Sequence, residues 1–315
     1  MSRTRTALET FVAAALVASV GACQPETPTT PDVSPPSFAK TGVNATDAAL
    51  WQLMATVNAG LAAEGKNYEA AVAEWAAGPG TDEVGRTVFF RDLGNKQLGH
   101  HFVPADPRRG GNVEITYIID QTEGAVDGVM VAETSAAIDR AMGTWEAQTC
   151  SEIPVTKVAD MPGVDLGVVE FLNGLGGSPL VFADVTHAGW LPAGLLANNV
   201  IGVTFTFIFV DGPGGPPTDI DNNGKLDTAF REILYNDFFT WAIDGNIDVE
   251  TVALHEAGHG LSQAHFGAAF VTDANGFLHF SPRAVMNAAY SGVQQILAGT
   301  DNAGHCSVWG GWPNN

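Results

Sequence analysis

The chain has 315 residues, of which 45% are hydrophobic and only 16% charged, and its formal net charge is −21. That length and apolar content suffice for a catalytic-sized core with a smaller appendage. The strong negative balance argues against nucleic acid or an anionic membrane surface as a partner and fits an exported protein able to bind calcium.

The first segment reads as a processing signal. Arg3 and Arg5 precede a short apolar run from Phe11 to Val20, and "VGAC" ends at Cys23. Residues 1–22 are therefore expected to be a signal peptide, too short to span a bilayer comfortably. The small residues before Cys23 resemble a bacterial lipobox, which would make Cys23 a lipidation site and the lipid the only link to a membrane. An ordinary signal peptide with an unmodified cysteine is the alternative. The adjoining "QPETPTTPDVSPPSF" is rich in Pro, Thr and Ser, so residues 23–45 read as a disordered tether. The expected location is the bacterial cell envelope or the exterior.

Residues 46–110 are expected to form a small helical module and a candidate propeptide. Leu50, Met54, Val57 and Leu61 recur at helical spacing, and "NYEAAVAEWA" reads as a second short helix. Arg108 and Arg109 offer a cut site, with a solvated turn as the plainer account. His100 and His101 could touch a metal, with a surface position as the expected account. From residue 111 to 315 the pattern changes. "VEITYIID" alternates as a half-buried strand. "TSAAIDRAMGTWEAQTC" carries Ile138, Ala141, Met142 and Trp145 as the apolar stripe of a long helix capped by Thr134 or Ser135. Strands are expected at "VDLGVVEF", "IGVTFTFIFV" and "REILY", and a last helix near "SGVQQILAG". Cys150 and Cys306, the two cysteines beyond Cys23, suggest one disulfide in an exported chain, with two free buried thiols as the alternative. The fold class is α+β.

"DIDNNGKLD" sets Asp219, Asp221, Asn223 and Asp227 at the spacing of a calcium loop, with Gly224 at the bend. Its twelfth position is Phe230 rather than glutamate, so Glu232 or a carbonyl would have to complete the shell. An Asx-rich turn is the alternative.

The chemistry is concentrated in "TVALHEAGHGLSQAHFG", where three of the chain's 8 histidines fall together. Val249 to Leu261 reads as a helix capped by Asp248, with Glu250 in its first turn. His255 and His259 then lie about 40° apart on one face. They can share one metal ion, and Glu256 projects beside them, placed to act on water. A turn at Gly260 and Ser262 brings His265 back as a third nitrogen. Three neutral nitrogens with one open position suit catalytic Zn²⁺. His187 has no candidate ligands around it and reads as structural.

The run His255-Glu256-Ala257-Gly258-His259 with His265 resembles the signature of the metzincin metalloproteases, H-E-x-x-H-x-x-G-x-x-H followed by a Met-turn. Met286 in "SPRAVMNAAY" matches the Met-turn methionine. The family glycine is replaced by Ser262. Tyr290 stands four residues after Met286, where astacin- and serralysin-like members place tyrosine two after, so the chain is more similar to the matrixin branch. The resemblance implies a twisted sheet over two helices, a cleft, and zinc-dependent hydrolysis of protein or peptide substrates by a monomer, with Glu256 as the catalytic base. Neither Cys150 nor Cys306 stands where matrixins carry the cysteine that silences their zinc. An extended substrate would pair with an edge strand, for which "IGVTFTFIFV" is the candidate, although its aromatic alternation suits buried core equally. A surface-anchored metal-containing binding lipoprotein without turnover is the alternative function.

Overall fold

The computed structural model describes residues 44–314 apart from 82, 95–98 and 123–128. The expected signal peptide, Cys23 and most of the tether lie outside the described residues. The described residues belong to one compact unit.

Asn44 starts helix α1 (Ala45–Ala63): its side chain accepts from the Asp47 N–H at 2.7 Å. The helix buries Leu50, Trp51, Met54, Val57 and Leu61, as the spacing predicts. The expected second helix is instead a strand. Tyr68–Ala77 forms the ten-residue β1, paired antiparallel with the short β2 (Thr87–Phe89). Alanine and glutamate are good helix formers, but propensity is a weak determinant and burial on both faces overrides it.

Strand β3 (His100–His101) and β4 (Ile115–Ile119) lead to α2 (Val131–Glu146). This helix begins at Met130, so Thr134 and Ser135 lie buried inside it rather than at its cap. After β5 (Val155–Lys157), the predicted strand "VDLGVVEF" proves to be a short helix, α3 (Val168–Leu172). The buried Glu232 carboxylate accepts from the N–H groups of Val168 at 2.7 Å and Val169 at 2.9 Å, fixing the start of α3. Next in the chain are three long buried strands: β6 (Val185–Leu191), β7 (Val200–Phe209) and β8 (Leu226–Asn236).

The main sheet runs β2-β1-β7-β8-β6-β4-β5, with β3 added beside β8. Strands β4, β5, β6 and β8 are mutually parallel; β7 is antiparallel to both its neighbours, β8 and β1. β7 is therefore interior, and the expectation that it is an edge strand is corrected. β1, from the expected N-terminal module, lies in the same sheet as β4 to β8.

Helices cover both faces. Helix α2 and the helix α4 (Val249–Gly260) bury Ile138, Met142, Trp145, Val252 and Leu254 against one face. On the other, α1 and α3 pack on Trp75, Val203, Phe205 and Phe207. A hairpin of β9 (Ala268–Val271) and β10 (Leu278–Ser281) comes after α4. The last helix is α5 (Gly299–Trp309), not the predicted "SGVQQILAG" stretch, which ends where α5 begins. A Cys150–Cys306 disulfide joins the chain just beyond α2 to α5. Among the described residues the architecture is thus α+β, with a mixed sheet and five α-helices. None of these helices is long and apolar enough to cross a membrane.

Candidate metal centre

Asp248 caps α4, accepting from the Thr251 N–H at 2.9 Å and its hydroxyl at 2.6 Å. The helix passes beneath β7, and its ligand-bearing turns are entirely buried. Gly258 permits close packing on the floor: a Cβ there would lie 2.3 Å from Met286 Sδ and 2.9 Å from the Trp145 ring. Met286 therefore sits directly under the histidine-bearing turns.

Beyond Leu261 the chain turns out of the helix through Ser262, whose φ is +65°. A left-handed non-glycine residue costs about 1–2 kcal/mol. The serine has a compensation, since its hydroxyl accepts from Arg231 Nη2 at 2.9 Å. Arg231 is fully buried in β8 and also donates to the carbonyl of His259. It braces both the last turn of the helix and the bend. The Gln263 N–H closes the turn on Gly258 O at 2.9 Å, and the Phe266 N–H donates to Met286 O at 2.8 Å, placing His265 over the helix.

The three imidazoles converge. His259 Nε2 lies 3.1 Å from His255 Nε2 and 3.1 Å from His265 Nε2. The other nitrogens of two of them are held by carbonyls: His255 Nδ1 donates to Val285 O at 2.7 Å, and His259 Nδ1 to Gln263 O at 2.8 Å. These bonds fix the tautomer that leaves each Nε2 lone pair facing the common point. Burial pulls the His255 imidazole down to about 4 and those of His259 and His265 well below their ordinary value. All three are neutral at pH 7, the form that ligates a metal. Together they could hold a metal ion.

Glu256 is 0% exposed. Its Oε2 accepts from the Thr204 hydroxyl at 2.8 Å, whereas Oε1 has no partner. Burial raises its carboxyl well above the usual range; the Thr204 bond opposes this and the Glu74 charge adds to it. β7 can pass this close because of Gly202, where a Cβ would sit 2.7 Å from Glu256 Oε1.

Several supporting residues carried no sequence signal. Asp301 of α5 accepts from the N–H groups of Val285 at 2.9 Å and Met286 at 3.1 Å, holding the carbonyl that orients His255. Glu74 of β1 reaches within 3.4 Å of His259 Nδ1, and burial pushes its carboxyl up to about 7 against the pull of Arg231. Glu74, Arg231 and Asp301 come from three distant stretches, and only the fold brings them together. Tyr290 lines a cleft with His255, Ala76, Ile201 and Val285, but its hydroxyl accepts from the Asp248 N–H at 3.1 Å.

The candidate calcium loop is arranged differently. Asp219 accepts from the N–H groups of Asn223 and Gly224, both at 3.0 Å, as an Asx-type turn. Asp227 is buried and accepts from Thr218 Oγ1 at 2.6 Å and Arg108 Nη2 at 2.8 Å. Glu232, considered for completing the shell, instead holds α3. His101 is buried rather than superficial, with Nε2 3.0 Å from Asn223 Nδ2 and 3.4 Å from Asp221 Oδ2. One ligand atom each from His101, Asp221 and Asp227 falls within 4.8 Å of the others. His100 is half-buried, with Nδ1 3.1 Å from Arg231 Nη2.

Arg108 and Arg109 do not form an open cut site. Arg108 bridges Asp106 and Asp227, and Arg109 is buried against Asp184 at 2.7 Å. His187 is buried against the Tyr235 hydroxyl at 2.8 Å and belongs to no ligand group among the described residues. No family model matches this chain, and no curated protein matches it either.

Proposed function

We propose that the chain is a zinc-dependent endopeptidase of the metzincin, matrixin-like type, exported to the cell envelope or beyond and acting on protein or peptide substrates. The observation that supports it most is the convergence of His255, His259 and His265 through Nε2, with Glu256 on the same helix turn and Met286 beneath. Zn²⁺ suits three neutral imidazoles better than a hard cation does, because oxygen donors are absent from the trio. When bound, the ion supplies Lewis acidity, acidifying water and polarising a carbonyl.

The chain's own residues do the rest. Val285 O and Gln263 O aim the rings. Glu256 takes a proton from the attacking water on its carboxylate and returns it to the leaving nitrogen. Thr204 holds Oε2 and leaves Oε1 free for that exchange.

Glu256→Gln tests this reading. The variant is expected to keep its zinc by elemental analysis and to lose at least a hundredfold in hydrolysis of a quenched peptide. Retention of most of the activity removes Glu256 from the proposed role. A metal-containing binding protein without turnover is the second reading, favoured by the complete burial of Glu256. A chelator-sensitive peptidase assay separates the two.

A further inference from the structure

A protein that reads extended peptides needs a strand edge with free backbone groups beside its reactive centre. In this fold β7 is the strand over Glu256, through Gly202 and Thr204, and its edge is already taken. β1 pairs with it antiparallel from Tyr68↔Phe209 to Ala77↔Val200. The pairing places Glu74 opposite Thr204 and Ala76 opposite Gly202, the two β7 residues that meet the Glu256 carboxyl. Ala76 lines the cleft beside His255, and Glu74 stands behind His259.

The other margin of β1 is clasped as well. The Ala77 N–H donates to Ala288 O at 3.1 Å, and the Tyr290 N–H donates to Ala77 O at 2.7 Å. The segment just after Met286 thus runs parallel to the end of β1, while β7 runs antiparallel along its length. A stretch of backbone gripped on both margins by main-chain bonds, with one small side chain turned into the cleft by the histidines, is bound as a peptide ligand would be.

We propose that Tyr68–Gly78 is the resident occupant of the peptide groove: the chain folds with its own strand in the place of an extended substrate, and β1 must leave β7 before another peptide enters. This rests on the endopeptidase reading for the use of the groove, not for its geometry. The closed state is held from behind. The Asn58 side chain bonds the N–H and carbonyl of Ala70 at 2.7 and 2.9 Å, and Trp75 Nε1 donates to Asp47 at 3.1 Å. Apparent peptide affinity is then scaled by the fraction of molecules in which β1 is open.

The test locks the strand. In the full-length, zinc-loaded chain, Ala77→Cys with Val200→Cys joins residues that are already register partners. Binding of a peptide hydroxamate carrying the sequence Ala70–Trp75 is measured before and after reduction, and Val200→Cys alone under the same reductant controls for the native disulfide. Acetohydroxamate binding checks that the metal is intact. The locked form is expected to bind the peptide hydroxamate at least tenfold more weakly than the reduced form. Trp75→Ala, which loosens β1 from α1, is expected to bind it at least tenfold more tightly than the locked form. If neither the reduced pair nor Trp75→Ala exceeds the locked form by that margin, the proposal is overturned. Hydrolysis is read separately: a form that binds the peptide hydroxamate yet leaves a quenched peptide uncut defeats the endopeptidase reading and leaves β1 as the groove's occupant.

Discussion

The turn at Asp219–Asp227 and the helix at Val249–Gly260 both concentrate donor side chains at spacings associated with metal binding, yet they differ in what those side chains are doing. On α4 the protein engages Nδ1 of His255 and His259 with carbonyls, and every Nε2 is turned inward. In the turn, the carboxylates of Asp219 and Asp227 accept from N–H groups, a hydroxyl and Arg108. Ligand spacing alone is therefore not decisive: in the turn it is His101 with Asp221 and Asp227, rather than the run of alternate side chains, that brings ligand atoms within 4.8 Å of one another. A site forms where the fold satisfies the far side of each ligand and leaves the near lone pair unclaimed.

The largest effect should come from breaking the helix site. His259→Ala removes the central ring, and dialysed protein is expected to retain almost no zinc, with affinity lowered by at least about 100-fold. Near-stoichiometric zinc in that variant would place the metal elsewhere. The turn should respond oppositely. Asp227→Asn is expected to destabilise the protein by about 1–3 kcal/mol in denaturant unfolding, because buried donors lose a charged acceptor. Millimolar calcium should leave the Tm of the wild-type chain within about 1 °C, whereas real occupancy would raise it by several degrees. A calcium shift of that size would erase the contrast.

Ser262 gives a finer test of the bend. Ser262→Ala keeps the left-handed backbone and loses the Arg231 bond, and should cost about 1–2 kcal/mol. Ser262→Gly relieves the backbone while losing the same bond, and should stay within about 0.5 kcal/mol of wild type. Equal losses in both would show that backbone strain is unimportant there.

The smallest effect concerns an imidazole buried without a metal role. Burial pulls His187 down to about 3 from its ordinary 6.5. The unfolded chain therefore takes up this proton first on acidification. Its contribution is intact above pH 6.5 and is lost as pH falls from there towards 3. In chelated protein, His187→Gln should flatten the stability-versus-pH slope by at most about 1.4 kcal/mol per pH unit in that window. An unchanged slope would mean that His187 is hydrated or already protonated.

The ligand helix was the most legible part of the chain, because Asp248, the i, i+4 histidines and the returning His265 act locally. α1, α2, β4 and β7 also announced themselves by periodicity. What stayed hidden depended on distant partners. "NYEAAVAEWA" has helical composition, and only burial between β2 and β7 makes it a strand. "VTHAGWL" shows no alternation because both its faces are covered, so β6 left no pattern to read. α5 contains two glycines and an asparagine and is fastened by a disulfide and by Asp301, whereas the more apolar "SGVQQILAG" stays largely irregular. Arg231 looks like an ordinary strand residue until the fold sets it under His259.

The position of β1 also bears on how the chain acquires its shape. The strand that lies beside β7 is translated early, while Phe205 and its neighbours emerge much later. Until then the apolar Ala70–Ala77 backbone has only β2 as a sheet partner, a state prone to pairing with the wrong molecule. Such non-local closure is intrinsically slow. The sheet's middle can therefore be completed only near the end of assembly, and the reactive centre is enclosed in the same late step.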